Sequence, residues 1–164
     1  MNKLHSLVLA TTLLVGSVSA ATAQDFDKGV EAAQSGDYQT ALQEWRPLAE
    51  EGDADAQHNL GMMYGNGQGV PQDYAEAVKW YRLAAEQGAA DAQHNLGVMY
   101  QFGDGVLQSN VIAHMWYSIA SDNGHPRSGE RRDGLAGQMT SADISTAQQM
   151  ARECMSSNYQ NCGW

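Results

Sequence analysis

The sequence predicts an all-helical protein, a short α-solenoid of stacked antiparallel helix pairs. Three observations predict it. A block of residues recurs at a fixed 36-residue interval, apolar residues within each block follow the helical period, and glycine-rich breaks divide each block in two. The recurrence is direct: Asp55-Ala56-Gln57-His58-Asn59-Leu60-Gly61 returns as Asp91-Ala92-Gln93-His94-Asn95-Leu96-Gly97. The register holds through Tyr64 and Tyr100, Gly69-Val70 and Gly105-Val106, Trp80-Tyr81 and Trp116-Tyr117, and Gly88 and Gly124. A partial copy precedes them, since Asp37-Tyr38, Ala41, Arg46, Ala49, Glu50 and Gly52 match Asp73-Tyr74, Ala77, Arg82, Ala85, Glu86 and Gly88.

Within the first full copy, Ala56, Leu60 and Tyr64 mark one face of a helix from about Ala54 to Tyr64. Gly61 lies inside it at a cost near 1 kcal/mol relative to alanine, which implies close approach of a neighbouring helix. Gly65, Gly67 and Gly69 are expected to break the helix. Asp73 caps a second helix, Tyr74 to about Gln87, with Ala77, Tyr81 and Ala84 inward. Helix pairs this short bury their apolar stripes only by stacking, so atypical end units are expected. They are an N-terminal helix pair, Phe26 to Gln34 and Tyr38 to Glu51, and a C-terminal helix from Pro126 to about Gln138. A last helix follows, opened by Thr140 with Asp143 three residues on, with Ile144, Ala147, Ala151 and Cys154 inward. The domain organisation is therefore a signal peptide at 1–23, an N-terminal capping pair at 24–52, repeats at 53–88 and 89–124, and a C-terminal cap and tail at 125–164.

The first 23 residues read as an export signal. Lys3 is followed by a largely apolar stretch from Ser6 to Val18, and Ala21-Thr22-Ala23 supplies a small-x-small cleavage pattern. Periplasmic or secreted location, cleavage after Ala23 and no stable membrane insertion are the expectations. All 19 acidic residues but only eight of the nine lysines and arginines lie beyond residue 23, leaving a formal charge of −11 there. From Asp25 to Asp122 there are 15 acids against four bases. Such a surface repels phosphate backbones, so nucleic acid is excluded as a partner. Cys154 and Cys162, an even pair in an exported chain, point to a structural disulfide, with two free thiols as the alternative.

The pattern A-x-A-Q-x-x-L-G-x-x-Y, then G-x-G-V, then A-x-x-W-Y-x-x-A and a closing glycine resembles the Sel1-like repeat, a relative of the tetratricopeptide repeat. The full copies cover about Gly52 to Gly124. The resemblance implies an exported bacterial member with a TPR-like superhelix, acting as an adaptor through a concave face lined by the first helix of each pair. On that face the residues left over from packing are Asp55, His58, Asn59, Met62 and Asn66, with Asp91, His94, Asn95, Val98 and Phe102 as counterparts. Carboxylates, imidazoles and apolar side chains in one groove suit a peptide or helix carrying basic and apolar groups. The expected partner is an envelope or secreted protein or peptide, and self-association through an open solenoid end is a further option.

Other chemistries fare worse. His58 and His94 sit one repeat apart without evident further ligands, so no metal is expected. Gly65-Asn66-Gly67-Gln68-Gly69 follows a helix and lacks a phosphate-loop lysine. Trp80 and Trp116 could form a sugar-binding stripe, which keeps a cell-wall glycan or peptide fragment as the second ligand class, although core packing explains them better. Some exported proteins of the resembled family bind or slowly hydrolyse β-lactams, and Ser121-Asp122-Asn123 spells one triplet of such enzymes. The companion Ser-x-x-Lys and Lys-Thr-Gly are missing, so no catalytic residues, enzymatic activity or cofactor are expected.

Overall fold

The computed structural model describes residues 25–163, and the expected signal segment with its expected cleavage point lies outside them. Among the described residues the chain forms eight helices and no strand: α1 Phe26–Ser35, α2 Tyr38–Glu50, α3 Ala54–Asn66, α4 Tyr74–Ala85, α5 Ala90–Phe102, α6 Asn110–Asp122, α7 Ser128–Ala136 and α8 Ser141–Ser156. They pack as successive antiparallel pairs, α1 with α2, α3 with α4 and α5 with α6, while α7 and α8 close against α6.

Helix starts are set by short polar side chains. Asp25, Asp37, Asp53 and Asp73 each accept backbone N–H bonds in the first turn of α1 to α4, satisfying donors a helix leaves open. Ala89 replaces the aspartate at the start of α5 and makes no such bond. Thr140 caps α8 through Asp143 N–H, and its hydroxyl donates to the Asp143 carboxylate at 2.8 Å. Two expected boundaries shift. Gly65 lies inside α3, buried against Ala77, and the helix ends at Gly67, whose φ of +69° is the left-handed geometry that stops it. A glycine inside a helix is a small cost that packing offsets, so Gly65 does not act as a breaker. The C-terminal cap helix starts at Ser128, leaving Pro126 in the preceding turn.

Close packing explains the repeated glycines of α3 and α5. A Cβ on Gly61 would lie 2.5 Å from the Tyr81 ring, and one on Gly97 would lie 2.6 Å from the Tyr117 ring. The α3–α4 and α5–α6 pairs are thus each closed by a tyrosine ring packed against a glycine. A polar ladder runs between the pairs: Gln57 donates to the Ala49 carbonyl at 3.0 Å and Gln93 to the Ala85 carbonyl at 3.1 Å. Gln87 in turn donates to Gln57, and Asn123 to Gln93, both at 2.8 Å. Arg46 and Arg82 similarly reach the hydroxyls of Tyr64 and Tyr100 in the following helix. The buried amides Gln57 and Gln93 are each bonded on both sides, so they fix one stacking register.

Cys154 and Cys162 are joined by a disulfide. The bridge folds the tail back so that Tyr159 sits over Gly88 and exchanges hydrogen bonds with the Asn123 amide. Asn123, part of the β-lactamase-like triplet, is therefore a structural residue joining the α5–α6 repeat to the tail. Closing so small a loop contributes about 2 kcal/mol by chain entropy. Reduction, or the Cys154→Ser/Cys162→Ser variant, is expected to lower the melting temperature; an unchanged thermal transition would contradict this role.

Candidate protein-binding face

The expected interaction residues come together only in part. His58 on α3 and Asn95 on α5 meet directly, with Asn95 Nδ2 3.0 Å from His58 Nε2. The two first helices are thereby neighbours on one face. Asp55, His58 and Asp91 line a shallow cavity of about 180 Å³ shared with His125 and Pro126. Asn59 and Met62 line a second, about 230 Å³, between α3 and the α1–α2 pair, beside Ala33, Tyr38 and Trp45. Asn66, Asn95 and Val98 line a third, about 280 Å³, beside Tyr74 and Tyr81. Phe102 is 59% exposed at the end of α5. Met62 and Val98 are half-buried, each with one side on the core.

His94 lines none of these cavities. It is buried, its Nδ1 lies 2.8 Å from Ser128 Oγ, and its ring stacks on His125 at 4.0 Å between centroids. Ser128 Oγ also lies 2.8 Å from His125 Nδ1, so one hydroxyl links both rings. His125 Nε2 then faces Asp91 Oδ1 at 3.6 Å. His94 is thus the seat of the C-terminal cap, whereas His58, at the same repeat position, stays on the cavity rim. His125, missed by repeat logic because it follows the last copy, joins the face in its place.

Burial pushes the His94 pKa down to about 4, and neighbouring His125, Arg127 and Arg131 act in the same direction against Asp91. Burial also lowers His58 and His125, opposed by Asp91 and, for His58, by Asp55. The face therefore presents neutral imidazoles beside two exposed carboxylates at neutral pH. An unfolded imidazole gains its proton below about pH 6.5, while folded His94 resists protonation until about pH 4. Stability is accordingly full above that first value and declines as pH falls towards the second. From about pH 7.5 to about pH 5 a loss of about 1–2 kcal/mol is expected by denaturant unfolding, reduced in His94→Gln. Equal stability at both pH values would contradict it.

Among the described residues no group of three or more His, Cys, Asp or Glu is placed to hold a metal ion. Trp116 is fully buried in the core, and Trp80 packs against the N-terminal cluster, so the two do not form an exposed aromatic stripe. No described helix is long and apolar enough to cross a membrane.

A stacked array of helix pairs, with an aromatic ring against a glycine in each of the first three (Trp45 on Gly29, Tyr81 on Gly61, Tyr117 on Gly97), defines a repeat protein of the solenoid class. The Sel1 repeat family matches residues 54–88 and 90–125, and the chain is a Sel1-repeat protein. It is similar to the solved structure of a protective antigen present in uropathogenic Escherichia coli strains, which displays an SLR fold. That likeness has 29% identity, a TM-score of 0.75, and covers 80% of this chain and 30% of that one. It is also similar to a Sel1 repeat protein from Oxalobacter formigenes, with 32% identity and a TM-score of 0.65 over 68% of this chain and 46% of that one. The chain thus spans less than half the length of either relative. A search of curated proteins returns no match. Sel1 repeat proteins generally mediate protein–protein interaction, and the fold is typically a non-catalytic scaffold.

Proposed function

We propose that this chain is an exported adaptor or regulator, periplasmic or secreted, that binds an envelope or secreted protein or peptide through the face of α3 and α5. The observation that supports the reading is a series of cavities along α3 and α5: Asp55, His58 and Asp91 border one, and Met62 and Val98 border two others. Two exposed carboxylates lie beside a neutral imidazole and half-buried apolar groups along adjacent helices. A helix or extended peptide with basic and apolar side chains complements such a surface. The disulfide supports export, because such bridges persist in oxidising compartments.

The test is affinity capture of the tagged protein from its own cell envelope after mild crosslinking. The control carries Asp55→Ser, His58→Ser, Met62→Ala and Val98→Ala and is first shown to melt cooperatively. His94 is left intact because its burial makes any change there a fold perturbation. One dominant captured protein, lost in the control, is the expected result. Capture of the same set by both proteins would overturn the reading.

A further inference from the structure

Away from that face, α6, α7 and α8 border an open-sided cavity of about 450 Å³, within the range of about 300–1,000 Å³ common to ligand pockets. His114 lines it from α6 and is only 2% exposed. One turn on, Ser118 donates its hydroxyl proton to the His114 carbonyl at 2.9 Å. With that proton so placed, the 3.5 Å contact between Ser118 Oγ and His114 Nδ1 fits the tautomer in which the ring donates from Nδ1. Burial keeps the imidazole neutral by lowering its pKa. Nε2 is then a lone pair without a hydrogen-bond partner among the described residues.

The rim carries two charges of each sign. Arg132 Nε donates to Asp133 Oδ1 at 2.8 Å, so this pair satisfies itself. Arg152 and Asp122 remain, one cation and one anion with no ion pair among the described residues. Ala136, Ile144, Ala151 and Met155 add an apolar lining. We propose that this cavity binds an amino acid or short peptide as its zwitterion, with the carboxylate on Arg152, the ammonium on Asp122, an N–H on His114 Nε2 and an apolar side chain on the lining. A guanidinium suits a carboxylate by paired hydrogen bonds, and opposite fixed charges select against ligands bearing only one. The site is independent of the α3–α5 face, so either can fail alone.

The experiment is a nitrogen–proton NMR titration of the purified protein with the dipeptide Leu-Leu, repeated with its N-acetylated and C-amidated forms. Saturable shifts confined to α6, α7 and α8 are expected. Arg152→Gln and Asp122→Asn, both solvent-exposed positions, are each expected to weaken binding about tenfold, as is each capped peptide. No saturable shift up to about 10 mM dipeptide would overturn the proposal and leave a solvent-filled cavity. Shifts centred on α3 and α5, or capped peptides binding as tightly, would overturn it equally.

Discussion

Replacing Trp116 with alanine is expected to cost about 3–5 kcal/mol, enough to unfold much of the domain at physiological temperature. Trp116 is completely buried midway along α6, the helix on which α5, α7 and α8 all pack. Removing the indole opens a void that three neighbouring helices cannot close without losing their own contacts. Trp80 holds the same repeat position in α4 but is only half-buried, against the smaller N-terminal cluster. Trp80→Ala should therefore cost clearly less in denaturant unfolding. Equal losses would mean that the two positions are energetically equivalent, contrary to their packing.

Gly97→Val is expected to cost about 3 kcal/mol by overpacking. The added Cβ alone would fall 2.6 Å from two carbons of the Tyr117 ring, and that ring is wholly buried with no space to retreat. Tyr117→Phe should give no rescue, because the clash is with the ring face and not the hydroxyl, which lies out on Gln101. Gly134→Ala is the matching control. It sits inside α7 with nothing within 4 Å of the new methyl, so helix propensity should raise stability by up to about 1 kcal/mol. Opposite signs at the two glycines are the expected outcome of unfolding measurements; a stabilised Gly97→Val would refute the tyrosine-on-glycine contact.

The repeat made most of the fold legible, because a unit that cannot bury its own stripe must stack. Gly61 illustrates this: the cost of a mid-helix glycine implied a close neighbour, and the Tyr81 ring is that neighbour. Gly65 was harder, since only its packing against Ala77, and not its residue type, keeps the helix running. The same limit applies to the face. His58 and His94 are identical in type, register and local sequence, yet one borders a cavity and the other lies under the cap. What separates them is the element that follows each: Asn95 reaches His58, whereas Ser128 and His125 cover His94. Repeat periodicity carries no information about a non-repeating cap. The cavity between α6, α7 and α8 was invisible for that reason too, since two of its three helices lie beyond the last repeat.

The most direct measurement is site-specific photocrosslinking in the producing cells, with the reactive residue placed in turn at Met62, Val98, Lys79 and Leu83. The first two lie on the α3–α5 face, and the last two are exposed on α4. One common adduct from Met62 and Val98, absent from Lys79 and Leu83, is the expected result. Adducts from the α4 positions, with none from Met62 or Val98, would contradict binding through that face.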